Sequence, residues 1–252
     1  MAVSRADLEA VLRQAAVPVH FQPIRRLSDD GVMGFEALAR FPGRHSPADW
    51  LAAARRDGCA SALDRLMFES ALSAHRAGAL PGLLFVNIEA ADLASLPRWL
   101  RANAGATMPR MVIEVTEREP DPPQGWAAAG GDLRRRDLRL SLDDFRLCLS
   151  FVRHVRHLRP DYVKLDRSLL FYLDRGRHLR RWLEALRERG ATLVAEGVHS
   201  AGQARRLCTL GIEYGQGFGL GRPAPAEHWR RPDAGASGTQ GGPWTGLSGK
   251  GT

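Results

Sequence analysis

The chain has 252 residues, with 36 basic against 28 acidic side chains and a formal net charge of +8. At 44% hydrophobic and 25% charged it has the composition of a globular protein able to bury a substantial core, which excludes fibrous and wholly disordered classes. No apolar run approaches the roughly 20 residues of a membrane helix, so no membrane partner is expected.

The opening MAVSRADLEAVLRQAA lacks the apolar centre of a secretory signal. Three widely spaced cysteines, Cys59, Cys148 and Cys208, suggest neither a disulfide framework nor a zinc site. A reducing cytoplasm is the simplest compartment. Only two of the 36 basic residues are lysines, Lys164 and Lys250, a skew that reads first as a compositional bias toward arginine.

Residues 4–15 read as a short amphipathic helix with Ser4 as N-cap and Leu8, Val11 and Leu12 on one side. Residues 1–13 are therefore expected as an N-terminal helix packed on a main domain spanning 14–230. Eight strand-length apolar segments follow: 17–24, 32–40, 82–88, 110–116, 138–144, 161–166, 191–197 and 212–218. Most are separated by stretches of helical spacing, such as 62–78 and 168–190. Eight strands alternating with helices predict an α/β fold, a TIM-like (β/α)8 barrel. Only RRLSDDG (25–31) joins the first two segments, too short for a helical crossover. Its Asp30-Gly31 dipeptide predicts a hairpin, and so an antiparallel first strand. The Gly/Ser/Thr-rich end, 231–252, is expected to be a disordered tail.

Polar residues interrupt these apolar segments in a recurring way. Glu36 lies in GFEALAR, Asn87 ends LLFVN, and Glu114 and Glu117 lie in VIEVTE. Asp143 and Asp144 end LSLDD, Lys164 and Asp166 lie in VKLD, Glu196 ends LVAE, and Gln216 lies in YGQG. Any one of them alone is more often a solvated or helix-capping group. Their recurrence toward the C-terminal ends of successive strands points to the rim where barrels assemble active sites.

Converging there, Glu36, Asn87, Glu114, Asp143 and Asp144 make a hard, oxygen-only cluster. Crowded carboxylates need cations to offset their repulsion, and oxygen donors favour Mg²⁺ or Mn²⁺ over zinc. Adjacent aspartates suit a two-ion site, with one carboxylate bridging. Ions about 3.5–4 Å apart activate water and stabilise the leaving oxygen in phosphodiester hydrolysis. Lys164 can orient that water or offset phosphate charge, and Glu196 can accept a proton or complete the second metal's shell.

The motifs EALAR (36–40), VN (86–87), EVTE (114–117), DDF (143–145), KLD (164–166), AEGV (195–198) and QGF (216–218) resemble, in order and spacing, those of the EAL-domain cyclic di-GMP phosphodiesterases. The resemblance covers roughly residues 14–228. It implies a TIM-like barrel with a reversed first strand and metal-dependent hydrolysis of cyclic di-GMP to linear pGpG. Carried over, it implies that Glu36, Asn87, Glu114 and Asp143 hold one metal and that Asp143 bridges to a second beside Asp144. Lys164 would sit by the nucleophilic water, Asp166 would support that lysine or the second metal, and Glu196 would serve as base or second-metal partner. Gln216 would hydrogen-bond in the same pocket, Arg40 would contact substrate phosphate, and Gln22 and Pro23 would lie near the nucleotide.

Two departures stand out. The family's Gly-Thr-Gly stretch after DDF is here Arg146-Leu147-Cys148, so glycines able to adopt φ > 0 have become side-chain-bearing residues. His199 stands where the family has a glutamate that steadies this loop, whereas Glu117, the other steadying residue, is retained. The metal set is complete and the loop-control set is eroded. One reading is an active enzyme with altered regulation. The alternative is a degenerate domain that serves as a cyclic di-GMP receptor or protein-interaction module. The resemblance also implies a homodimer contact through the altered loop, and a separate signalling partner protein as the source of any input.

Other signals carry less. GQGFGLG (215–221) lacks the spacing of a dinucleotide fingerprint. His154 and His157, alternating with arginines, read as a solvated basic helix face, and Cys148 as a small apolar residue. No nucleic-acid-binding motif accompanies the pI near 10.3, so no specific nucleic-acid partner is expected.

Overall fold

The computed structural model describes residues 2–103, 110–116, 124–145, 149–172 and 177–230. The chain opens on helix α1 (Arg5–Leu12), started by a reciprocal cap: Ser4 Oγ accepts from the Asp7 N–H, and the Asp7 carboxylate accepts from the Ser4 N–H. Leu8 and Val11 bury against Trp50 of α2 (Pro47–Arg56) and Leu63 and Leu66 of α3 (Ala60–Gly78). The helix ends at Leu12, three residues short of the expected 15.

Eight strands close a barrel in chain order. They are β1 (Val19–Arg26), β2 (Val32–Ala39), β3 (Leu83–Glu89), β4 (Met111–Thr116), β5 (Arg139–Phe145), β6 (Tyr162–Leu165), β7 (Thr192–Ala195) and β8 (Tyr214–Gly215). As the short first connection predicts, β1 runs antiparallel to both neighbours, β2 and β8, while β2 through β8 pair in parallel. The hairpin itself differs from a two-residue Asp-Gly turn, which needs positive φ at both positions. Here Asp30 alone turns left-handed (φ 62°), and the Asp29 carboxylate accepts the Gly31 N–H at 3.0 Å. β8 is also shorter than its apolar segment, because residues 217–221 leave the strand to turn against Val198 and His199.

Helices α4 (Leu96–Asn103), α5 (Trp126–Arg134), α6 (Leu149–Leu158), α7 (Arg177–Glu188), α8 (Ala201–Thr209) and the short α9 (Ala226–Trp229) complete the described elements. The stretch 168–190, expected as one helix, begins as a 3-10 turn (Arg167–Tyr172) before α7. Asp166 causes that start: its carbonyl accepts from the Leu169 N–H and its carboxylate from the Ser168 N–H, each at 2.9 Å. On α6 the expected solvated face is only partly so. His157 is exposed, but His154 is buried with its ring 5.6 Å from Trp126.

Strand alternation sorts the side chains into layers. Phe35 and Ala37 on β2, Leu84, Val86 and Ile88 on β3, and Ile113 and Val115 on β4 face outward into the main core under the helices. The opposite parity fills the barrel. Ile24, Leu83, Phe85, Val112, Tyr162 and Val194 form an apolar plug at one end. Two residues further toward the mouth along the same strands lie Gln22, Asn87, Glu114, Lys164 and Glu196. The polar interruptions noted in the sequence thus become one layer resting on a hydrophobic floor. Residues 231–252 lie outside the described part.

Candidate active site

Lys164 is the centre of this polar layer. It is 1% exposed, and its Nζ lies 3.2 Å from Glu36 Oε2, 3.2 Å from Glu114 Oε1, 3.4 Å from Asp143 Oδ1 and 3.0 Å from Glu196 Oε1. Burial works against the ammonium charge, yet the carboxylates of Asp143, Glu114, Glu196 and Glu36 together hold its pKa well above the usual lysine value. The carboxylates respond unequally. Burial and its acidic neighbours hold Glu114 well above the ordinary range despite Lys164. Glu196 is pushed up to about 7, again chiefly by burial, and Asp143 is raised for the same reason. Glu36 falls below its ordinary value: burial opposes this, but the charge of Lys164 and hydrogen bonds from Gln216, Asn87 and Lys164 outweigh it.

Those hydrogen bonds extend the layer around the barrel. Asn87 Nδ2 donates to Glu36 Oε1 at 2.9 Å, and Gln216 Nε2 donates to Glu36 Oε2 at 2.6 Å and to Gln22 Oε1 at 3.0 Å. Gln22 Nε2 in turn donates to the Gly221 carbonyl at 3.0 Å. The pairing register explains these meetings: Gln22 is opposite Glu36, and Asn87 is opposite Glu114. Pro23 takes no part in this network; its ring packs against Gly221.

Asp143 and Asp144 should face opposite sides of a regular strand. Instead β5 slips register between Leu142 and Phe145, and Asp144 adopts a left-handed φ of 57°. One oxygen from each of Asp143, Asp144 and Glu196 consequently falls within 4.8 Å of the others. Asp143 and Glu196 therefore belong both to the buried array around Lys164 and to a more open carboxylate triad at the mouth.

This donor set fits a divalent cation. One ammonium faces four carboxylates, with Asp144 adding a fifth at the rim. Glu114 Oε1 and Asp143 Oδ1 face the Lys164 ammonium without accepting a hydrogen bond, and Gln216 Oε1 is buried with no hydrogen-bond partner, leaving oxygen lone pairs for a hard ion.

Arg40 is half-buried, with its Nη1 bonded to the carbonyls of Leu38 (3.3 Å) and Ala39 (3.1 Å) on its own strand. It lines a cleft of about 160 Å³ together with Asp64, Asn87, Glu89 and Thr116. Asp166 is half-buried and caps the 3-10 turn. His199 is exposed, its N–H donating to Gln203 Oε1 at 2.8 Å and its ring meeting Phe218. Glu117, Arg146 and Cys148 lie outside the described residues.

Sequence reasoning missed Asp64 and Glu89. Asp64 on α3 is 3% exposed, accepts the Glu89 N–H at 2.6 Å and is pushed up to about 7, mainly by burial. Glu89 is ion-paired with Arg55 at the mouth of the cleft. The available signal was an aspartate on the apolar face of ALDRLMF, between the buried Leu63 and Leu66.

An EAL domain model matches residues 5–223, and the chain belongs to that family. The probable cyclic di-GMP phosphodiesterase PdeB of Escherichia coli is 28% identical over 240 residues, covering 89% of this chain and 46% of that protein. A protein of Azorhizobium caulinodans is 30% identical over 251 residues, covering 88% of this chain and 34% of its own length. The chain thus spans about a third to a half of these curated relatives. Among solved structures, a MucR phosphodiesterase in complex with c-di-GMP superposes with a TM-score of 0.71 at 26% identity, covering 88% of this chain and 98% of the other. Klebsiella pneumoniae BlrP1, solved as a manganese/cy-diGMP complex, superposes with a TM-score of 0.70 at 26% identity, covering 84% and 57%.

Proposed function

We propose that this domain is a metal-dependent phosphodiesterase that hydrolyses cyclic di-GMP to linear pGpG, working in the cytoplasm. The observation that carries the proposal is the buried Lys164 ammonium within 3.4 Å of four carboxylates, joined to the Asp143–Asp144–Glu196 triad. The relatives and solved structures named above supply the substrate class. A domain serving only as a receptor has less need of this complete array.

Glu36, Asn87, Glu114 and Asp143 are assigned to one ion, and Asp143 with Asp144 to a second. The all-oxygen set favours Mg²⁺ or Mn²⁺. Such ions, when bound, offset phosphate charge and acidify an attacking water. Lys164 then orients that water and holds the carboxylates in place. Glu196, beside the Asp143–Asp144 pair, is assigned to accept the water's proton or to complete the second ion's shell. Gln216 and Gln22 fix the orientation of Glu36, with Pro23 setting the position of the neighbouring loop. Arg40, at the cleft, is assigned to the substrate phosphate, and Asp166 positions the segment that follows Lys164.

In the test, purified protein is incubated with cyclic di-GMP and Mn²⁺, and pGpG is followed by chromatography. Release of pGpG that stops on chelation is expected. No pGpG from concentrated, metal-loaded protein would sink the enzyme reading.

A further inference from the structure

We propose that Trp229 is a positioning residue for the metal site, holding Gln22 and Glu36 in place from behind the β1–β2 hairpin. The proposal rests on the metal-dependent reading above and deepens it. Because a hairpin joins β1 to β2, that pair of strands has no crossover helix of its own. Part of its outer face is covered instead by α9. Ala226 packs on Gly78 at the end of α3, leaving no room there for a Cβ. Beyond it, Arg230 Nη2 donates to the Ala77 carbonyl at 2.9 Å. So anchored, α9 sets Trp229 against the backs of both strands. Its indole Nε1–H donates to the Phe21 carbonyl at 2.8 Å, and its ring lies 5.7 Å from that of Phe35 at 49°.

Both contacts fall on immediate neighbours of the catalytic layer. Phe21 precedes Gln22 and Phe35 precedes Glu36, and strand alternation turns the aromatic outward and the polar residue inward. A third contact is Gly221, where a Cβ would lie 3.1 Å from Trp229 Cη2. The Gly221 carbonyl is the acceptor for Gln22 Nε2. The barrel closes weakly at this seam. Among the described residues, β1 and β8 pair at two positions, Arg25 with Gly215 and Arg26 with Tyr214, both at the floor end. Level with the catalytic layer, the ladder gives way to one bridge between Phe21 and Ala224, with bonds of 2.7 and 3.1 Å. The Phe21 carbonyl is thus shared by the Ala224 N–H and the indole, which fixes the backbone that carries Gln22. Gln22 in turn holds Gln216, whose Nε2 donates to Glu36 at 2.6 Å. Loosening Trp229 frees Glu36 to turn without removing any group from the site.

The test is Mn²⁺ binding to the full chain by titration calorimetry, with melting curves beside it. The comparison is Leu133→Ala on α5, a fully buried position of the same core on the far side of the barrel. Trp229→Ala is expected to weaken Mn²⁺ binding about tenfold, the scale on which residues behind a metal ligand act. Leu133→Ala should lower the melting temperature and keep the wild-type Kd. Trp229→Phe keeps the ring, loses the N–H donor, and should weaken binding several-fold. With cyclic di-GMP, the Trp229 variants should need more Mn²⁺ for half-maximal rate and keep KM for the dinucleotide at saturating metal. An unchanged Kd in folded Trp229→Ala, or in Trp229→Phe where the alanine variant does not fold, overturns the positioning role. So does an equal loss in Leu133→Ala. Either result leaves the phosphodiesterase reading standing, whereas wild-type protein that binds no Mn²⁺ overturns both.

Discussion

Lys164 shows how much one side chain holds together. With four carboxylates within 3.4 Å, replacing it by alanine leaves buried like charges without their counterion, a loss of about 3–5 kcal/mol. Lys164→Ala is expected to abolish turnover and to unfold in denaturant well below wild type at pH 8. The deficit should shrink toward pH 5.5, as Glu196, pushed up to about 7, protonates, or on adding Mn²⁺. Chemical denaturation at both pH values checks this, and a pH-independent deficit would count against the charge account. Asp64 poses the opposite case. Burial raises its carboxyl from 3.8 to about 7 in the fold. Between those values the folded state binds more protons than the unfolded chain, so its contribution to stability is full below about pH 4 and is lost as pH rises through about 7. Asp64→Asn still accepts the Glu89 N–H and cannot ionise. It should melt above wild type at pH 8, with the advantage vanishing near pH 4.

At the scale of elements, the barrel was legible because its signals are local. Strand-length runs such as GLLFVNI declare themselves by composition, and RRLSDDG is too short for anything but a hairpin. The polar layer was legible because strand period fixes which residues share a face. Asn87 is two positions from Phe85, and Glu114 two from Val112, so all point into the barrel. What the sequence hid depends on departures from that period. LSLDDF as a regular strand would send Asp144 away from Asp143, and only the register slip and the φ of 57° bring both to Glu196. Asp64 was hidden because its partner is a backbone N–H distant in sequence, and His154 because the neighbouring arginines outweighed its one buried direction. The β5 slip predicts that Asp144→Asn, which tolerates left-handed backbone, keeps the wild-type melting temperature and loses on the order of tenfold in Mn²⁺ affinity. Titration calorimetry with melting curves separates the two effects. An unchanged affinity would remove Asp144 from the ion site. In the β8 loop, Gly217→Ala drives a Cβ into the Val198 backbone and should cost roughly 1–3 kcal/mol in denaturant unfolding.

Over the whole molecule, the +8 charge and the acidic pocket are opposed. Arginines spread across the helices make a basic exterior, whereas the barrel mouth gathers Glu36, Glu114, Asp143, Asp144 and Glu196 around one lysine. On the proposed function, the exterior would attract an anionic dinucleotide over distance, while the mouth requires cations before a phosphate can settle there. Raising ionic strength from about 0.05 to 0.5 M shortens the screening length severalfold. It should lower kcat/KM more than kcat, and equal effects on both would place the charge outside substrate capture. On the proposed function, the carboxylate layer, loaded with metal, cleaves cyclic di-GMP. Its most direct test is product formation with cyclic di-GMP and Mn²⁺ by wild type beside Glu36→Ala. The wild type alone should release pGpG. Absence of pGpG from the metal-loaded wild type, or equal release by Glu36→Ala, would contradict it.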